Sequence, residues 1–357
     1  MKFAFLIGVL AVAAVAALVF RAYLMGRFDR SYQHLQRLHD MDDNVGVLEM
    51  GWPPADLDIH KRRYYARAHL LVGNSALTVG AYKRALTHVL VARKGVSEGT
   101  LQVSFPGGLD SSIAHALIGL GRYQESLELI GERAEEPDDS IMRHHAVQAA
   151  IETGDDDRAR YLLGLSTLNS DPLLEAGKLR MEGDFLIKLG DYPTGVKLVK
   201  RAGLAYQNLG TSWGDLDIGY CVGHLGHAAL AQDDPARAVK LLSTAETLIV
   251  RIASDDRAGL SEVGAWHARA LAKTGDYEQS ARVAAKCMED AVWTDSPRLI
   301  AGAHVALAEV ARSTNEPEEA RQHLEKAASF YQQIGAQRDL AETQSHIRRL
   351  QTPGHFE

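Results

Sequence analysis

Cysteine is scarce in this sequence, and its scarcity excludes two kinds of small stabilised fold. Only Cys221 and Cys287 occur in 357 residues, too few for a disulfide framework or a cysteine-rich zinc ribbon. An excess of positive charge is also missing, because 39 lysines and arginines stand against 46 aspartates and glutamates, a formal net charge of −7. Proteins that neutralise phosphates over a whole surface carry the opposite balance, so nucleic acid is not an expected partner.

Several motifs of catalysis and cofactor binding are absent as well. The chain has no Gly-x-x-x-x-Gly-Lys-Ser/Thr loop and no Gly-x-Gly-x-x-Gly sequence that opens a helix after a strand. His-Glu-x-x-His and Cys-x-x-Cys are missing too. We therefore expect a protein that is not an enzyme and that uses no cofactor or metal.

One long apolar run is present, at the amino terminus. Residues 3–20 carry no charged or strongly polar side chain, and a helix of that length, at about 1.5 Å per residue, nearly spans a bilayer core. We predict a transmembrane helix over residues 1–25. The alternative is a cleaved signal peptide, because Lys2 and the Ala-x-Ala triplets in the run are also typical of exported proteins.

The charges that flank the run predict its orientation. Four arginines follow it, whereas only Lys2 precedes it, and positive residues stay on the cytoplasmic side. We expect a single-pass protein of the cell membrane with its main domain in the cytoplasm, or an exported protein if the run is cleaved. Residues 26–60 are predicted to form a juxtamembrane helix and a linker. The four arginines are Arg21, Arg27, Arg30 and Arg37.

A short turn recurs seven times at intervals of 33 to 43 residues, with helical patterning on both sides. Such a period predicts a stack of helical hairpins. A glycine or asparagine, which readily adopts the left-handed conformation, ends six of the seven first helices, and Asp or Pro begins most of the second helices. The turns start at Gly80, Gly121, Gly154, Gly190, Asp233, Gly275 and Asn315.

Two positions in every hairpin carry small residues, except that Val147 is larger than alanine, and they are expected where the two helices meet. One position lies five residues after the start of the turn, and the other lies seven residues before it. The first set is Ala85, Ser126, Ala159, Gly195, Ala238, Ser280 and Ala320. The second set is Gly73, Ala114, Val147, Gly183, Gly226, Ala268 and Ala308.

The two small positions around a Gly-x-Tyr turn, as in Gly80-Ala-Tyr82, resemble tetratricopeptide repeats. The resemblance covers about residues 61–350. It implies an all-α, right-handed solenoid of about seven helical hairpins over residues 61–351. Residues 337–351 are expected to form a solvating cap helix, and residues 352–357 a tail.

The first helices of such a solenoid line a concave groove, so the residue after the second small position should face a partner. All seven residues at this position are polar, whereas an inward column would be apolar. Their charges are mixed, and as solvated side chains they are expected to add little to folding. We name them the groove column: Asn74, His115, Gln148, Asp184, His227, Arg269 and Glu309.

Two other groups of residues have simpler explanations. Cys221, His224 and His227 have a three-residue spacing that would let only neighbours meet on a helix, so packing is favoured over a metal site. Acidic runs such as Asp155 to Asp157 and Asp255-Asp256 are interpreted as helix caps rather than calcium ligands.

These observations lead to two functional hypotheses. The first is a membrane-anchored scaffold or adaptor whose groove docks segments of partner proteins at the cytoplasmic face. The alternative is a regulatory sensor that binds a peptide or a small effector in the groove. Neither the partner nor the oligomeric state follows from the sequence.

Overall fold

The computed structural model describes residues 30–51, 62–102, 107–136, 139–165 and 171–351, and all regular elements within them are helices. Two short helices come first, α1 (helical residues 30–40) and α2 (Asn44–Glu49). The seven hairpins follow in order: α3 (Arg62–Thr78) with α4 (Tyr82–Ser97), α5 (Gly107–Gly119) with α6 (Tyr123–Ile130), α7 (Ser140–Thr153) with α8 (Asp156–Gly164), α9 (Pro172–Lys188) with α10 (Tyr192–Leu209), α11 (Ser212–Ala231) with α12 (Pro235–Ile252), α13 (Arg257–Thr274) with α14 (Tyr277–Thr294), and α15 (Pro297–Ser313) with α16 (Pro317–Ile334). Helix α17 (Gln337–Gln351) ends the described chain.

All seven predicted turns are present, and the first residue of each has a positive φ between 58° and 88°. The residue after it donates its backbone N–H to the carbonyl five positions earlier at 2.8–3.1 Å, as from Ala81 to Ala76. This bond pairs a carbonyl that the helix end would leave unsatisfied. The acidic residues cap helices as expected, since Asp155 and Asp256 accept hydrogen bonds from the backbone N–H groups of Arg158 and Gly259.

The two small positions meet inside each hairpin, and all fourteen residues are buried. Ser280 donates its hydroxyl to the carbonyl of Ala268 at 2.7 Å, and Ser126 makes the corresponding bond to Ala114 at 3.3 Å. The helical-hairpin solenoid resembling tetratricopeptide repeats is therefore confirmed, with the predicted register.

Two of the second helices are much shorter than the others. Helices α6 and α8 have eight and nine residues, whereas the other second helices have 16 to 18. Gly131, with a φ of 54°, ends α6 and opens a 3-10 turn over Gly131–Glu135. The third hairpin, which has valine at a small position, nevertheless packs normally around the buried Val147.

The segment before the first repeat packs against it. Leu35 of α1 and Val47 of α2 are fully buried in one core with Ala68 of α3. Arg84 of α4 donates to the carbonyl of Leu48 at 2.5 Å. Residues 30–51 therefore cover one side of repeat 1.

The solenoid closes on itself. A Cβ atom added to Gly80 in the first turn would lie 2.8 Å from the Cβ of Ala258 at the start of α13, and one added to Gly121 would lie 2.4 Å from Ile334 at the end of α16. Arg338 of α17 pairs with Asp156 of α8. The first two turns therefore meet the hairpin five repeats further along, and the third hairpin meets α17. We call this contact the seam.

None of the helices in the described ranges combines the length and the apolarity that a bilayer crossing requires. The predicted transmembrane helix, residues 1–25, lies outside those ranges.

Candidate functional site: the central cavity

Closure at the seam leaves a cavity of about 420 Å³ inside the ring of first helices. Helices α9, α11, α13, α15 and α17 supply most of its wall. Its main lining residues are Lys188, His227, Leu230, Ser261, Glu262, Trp266, Arg269, Lys273, Arg298, Leu299, Val305, Tyr331, Arg338, Asp339, Glu342, Thr343 and His346. We call it the central cavity.

A smaller chamber of about 90 Å³ adjoins the central cavity, and Lys188, Glu262 and Arg298 line both. Lys188 lies 3.1 Å from the carboxylate of Glu152 and 3.5 Å from that of Asp184. Arg298 lies 2.7 Å from Glu262 and 3.8 Å from Glu152. These five residues form an ion-pair cluster that joins α7, α9, α13 and α15 through the interior.

The cluster keeps the carboxylates of Asp184 and Glu262 charged. Burial works to raise the pKa of Asp184, but the charges of Lys188 and His224 hold it well below its usual value. Burial likewise opposes ionisation of Glu262, and Arg298 lowers its pKa. Since a buried charge without a partner is costly, these pairs stabilise the ring only while both members are present.

One side of the central cavity is aromatic and apolar. The rings of His227 and Trp266 are stacked, with centroids 4.6 Å apart and planes 7° from parallel. Burial lowers the pKa of His227 to about 4, so its imidazole is neutral at pH 7. Leu299 and Val305 extend the apolar wall. This side can pack against a side chain or a ring of a ligand.

Helix α17 forms the opposite wall with Asp339, Glu342 and His346. Burial, followed by the charge of Glu152, raises the pKa of Asp339 to about 6, although Lys188 and Arg298 oppose the shift. Leu340 packs toward the core, and Arg348 and Arg349 are exposed. The helix is nevertheless more than a solvating cap, because its other face is part of the cavity.

All seven groove-column residues are half-buried on the first helices. The structure brings four of them to the interior space: Gln148 and Asp184 line the small chamber, and His227 and Arg269 line the central cavity. The other three lie elsewhere. Asn74, His115 and Glu309 line neither space: the carbonyl of Asn74 accepts from Thr78, the ring of His115 stacks on His145, and Glu309 binds Arg312.

The expectation that the column is solvated and adds little to folding was wrong for Asp184. Its carboxylate oxygen lies 2.9 Å from Nδ1 of His224, in addition to the contact with Lys188. Replacing Asp184 would leave His224 without this buried partner and Lys188 with Glu152 alone, which costs stability.

Sequence reasoning missed the residues of the ion-pair cluster outside the column. Glu152 and Lys188 lie one helical turn after Gln148 and Asp184, so they share a face with the column. A search for charged residues one turn from the column would have found these two. Arg298 and the residues of α17 had no such signal, because their position depends on closure of the ring.

The structure gives different main contacts to Cys221, His224 and His227. Burial raises the pKa of Cys221 to about 12, His224 faces Asp184, and His227 stacks on Trp266. Across the described ranges, no three histidine, cysteine, aspartate or glutamate side chains converge as metal ligands would.

The segment Gly210-Thr-Ser212-Trp-Gly214 has the spacing of the Gly-x-Ser-x-Gly nucleophile elbow. That elbow needs a strand before the serine and a helix after it. Here α10 ends just before Gly210 and α11 starts at Ser212, so the segment is a turn between two helices.

No protein-family model matches this sequence, and no curated protein does. Three solved structures illustrate what it is similar to. A signal transduction ATPase with numerous domains and a tetratricopeptide repeat sensor, from Pyrococcus horikoshii, is 13% identical, with a TM-score of 0.47; the match covers 82% of this chain and 44% of that longer one. A Rap protein complexed with competence and sporulation factor is 9% identical, with a TM-score of 0.47. The match covers 90% of this chain and 96% of the Rap chain. The TPR2AB domain of yeast Sti1, in complex with pHSP90, is 16% identical, with a TM-score of 0.28. The match covers 80% of this chain and 98% of the Sti1 chain.

Proposed function

We propose that this protein is an interaction protein that works without catalysis and binds a short peptide in its central cavity. The observation that carries the proposal is the convergence of an aromatic wall with charged groups of both signs in one interior space. Peptides offer side chains for the aromatic wall and polar groups for the charged residues, so both parts of the wall would be used.

The size of the cavity limits what it can hold. A volume of about 420 Å³ lies at the lower end of the range of about 300–1,000 Å³ for small-molecule sites. It therefore suits a few residues of a peptide rather than a segment that crosses all seven repeats. In the adaptor hypothesis, these residues belong to a partner protein and reach the cavity from outside.

The position of α17 in the cavity wall favours the second hypothesis, a sensor for a free effector. Helix α17 lies across the ring and is tied to α8 by Arg338 and Asp156. A ligand that touches α17 would change the stability of the seam and so the shape of the solenoid. A free peptide that changes the radius of gyration of the purified chain in X-ray scattering would support the sensor.

We also propose that residues 1–25 anchor the protein in the cell membrane, with the repeats in the cytoplasm. The uncharged run and the arginines after it support this. Alkaline carbonate extraction should leave the full chain in the membrane pellet. Recovery of a shortened chain in an exported soluble fraction would mean that the run is a signal peptide.

The cavity assignment is tested by capturing partners from solubilised membranes. Arg269→Ala should lose the main partner or effector while keeping its helical signal and melting temperature, because Arg269 makes no hydrogen bond or ion pair with any residue in the described ranges. The double variant Lys240→Ala with Arg282→Ala, exposed on second helices, is the control. If the control loses the partner and Arg269→Ala retains it, the convex face is the binding surface.

A further inference from the structure

The cations that line the central cavity are almost all engaged by the protein itself. Lys188 and Arg298 belong to the ion-pair cluster, Lys273 lies 2.8 Å from Asp233, and Arg338 pairs with Asp156. Arg269 differs, because it makes no hydrogen bond or ion pair with any residue that the structure describes. Its guanidinium group therefore has all five donors available to a ligand in the cavity.

Glu309 is a carboxylate near Arg269 that does not line the cavity, and another residue already binds it. Burial opposes ionisation of Glu309, but Arg312 and Arg269 lower the pKa of its carboxyl group. Both carboxylate oxygens of Glu309 accept hydrogen bonds from Arg312, at 2.6 and 3.2 Å. An anion brought by a ligand would therefore not have to displace Glu309 from Arg269. A guanidinium binds a carboxylate with two parallel hydrogen bonds, which favours that anion geometrically.

The wall formed by α17 contains the complementary group. Glu342 lines the same cavity and makes no hydrogen bond or ion pair within the described ranges. Both Glu342 and Arg269 act electrostatically on His346, so both lie near this residue. Arg269 and Glu342 thus line one cavity, and each lacks an ion-pair partner among the described residues. Asp339 also lines the cavity without such a partner, but burial raises the pKa of its carboxyl group to about 6, so Glu342 is the stronger candidate for binding a cation.

We infer that the ligand of the central cavity is a zwitterion, a free di- or tripeptide whose carboxylate binds Arg269 and whose ammonium group binds Glu342. Its body packs against Trp266, Leu299 and Val305. The volume agrees, since about 420 Å³ lies within the range of about 300–1,000 Å³ for sites that hold small molecules. The inference rests on the proposed function, and of its two hypotheses it favours the sensor for a free effector over the adaptor.

The test uses four forms of one equimolar tripeptide library: free at both ends, acetylated at the amino end, amidated at the carboxyl end, and blocked at both ends. Binding to the purified full chain is followed by the rise in melting temperature and by calorimetry. The free library should bind at least about tenfold more tightly than either singly blocked form, because each block removes one charge-assisted contact.

Two variants test which residue binds which end of the peptide. Arg269→Gln should abolish the preference for a free carboxylate and keep the preference for a free ammonium group. Glu342→Gln should do the reverse. Lys240→Ala and Arg282→Ala, on the exposed outer helices, should retain both preferences.

The outcomes separate this inference from the function on which it rests. If blocked and free libraries bind equally and Arg269→Gln weakens both, the cavity binds peptides but the zwitterion is wrong. If inorganic phosphate or acetate alone competes fully with the free library, the site recognises an anion only, and the inference also fails. If no library changes the melting temperature or produces heat, the inference and the proposed function both fail.

Discussion

Gly183 and Gly195 form the closest helix contact of the fourth repeat. A Cβ atom on Gly195 would lie 2.7 Å from the carbonyl oxygen of Gly183 and 3.0 Å from the backbone nitrogen of Ile187. Backbone atoms cannot turn away as a side chain does, so relief requires the two helices to separate. The small positions therefore set the distance between helices and not merely the shape of a side-chain core.

This contact predicts opposite effects of the same substitution at two glycines. Gly→Ala in a helix is ordinarily stabilising by about 0.5–1 kcal/mol, and Gly302→Ala should follow this rule because nothing lies within 4 Å of its added Cβ. Gly195→Ala should instead destabilise by about 1–3 kcal/mol through overpacking. Urea unfolding measures both free energies. Equal effects of the two changes would show that the helices of repeat four separate freely.

At the scale of single elements, α17 differs from the helices before it. A helix within the solenoid packs between neighbours on both sides, whereas α17 follows only α16 in the stack. Its remaining support comes across the seam, from Arg338 to Asp156 and from core contacts with the second and third hairpins. The cavity wall that it forms is therefore the easiest part of the ring to displace.

Breaking the contact across the seam should loosen α17 selectively. Arg338→Ala removes a partly buried ion pair worth about 0.5–1 kcal/mol. Amide hydrogen exchange within α17 should accelerate about two- to fivefold, while exchange in α13 stays unchanged. Arg349→Ala, exposed on the same helix, serves as the control. Equal acceleration in both variants would mean that the seam does not hold α17.

The hairpins could be predicted from the sequence because their causes are local. A positive φ at Gly190 or Asn315 and a small residue at Ala238 each constrain a few neighbouring residues. The cavity could not be predicted in the same way. Arg298 and Glu152 meet only when the superhelix turns through five repeats, and the sum of many small rotations between hairpins has no local pattern in the sequence. Because the sequence carries no sign of closure, it predicts an open groove where the structure has a cavity.

For the whole molecule, buried neutral histidines predict sensitivity to mild acid. Their pKa values are lowered to about 4, or to about 3 for His144, mainly by burial, against about 6.5 when unfolded. Between these values the unfolded chain binds more protons, so the unfolding free energy decreases as the pH falls from about 6.5 to about 4. The five residues are His69, His88, His144, His227 and His304.

Urea unfolding at pH 7 and pH 5 checks this prediction, and a loss of at least about 1 kcal/mol is expected at pH 5. Asp339 acts in the opposite direction. Its pKa of about 6 when folded exceeds the ordinary value of 3.8, so it favours the folded state as the pH falls through that window. One carboxyl group does not offset five histidines. Unchanged stability down to pH 4.5 would contradict the burial of these rings.

The seam also fixes how many repeats the chain can have. An open array usually tolerates the gain or loss of a unit, since each unit touches only its neighbours. Here the first two turns are matched to the hairpin five units later, as Gly121 is to Ile334. Deleting or duplicating one hairpin would place Arg338 opposite a different helix and leave Asp156 without its partner. The copy number is thus a property of the ring, and relatives of this protein should differ in loop length and surface composition rather than in repeat count.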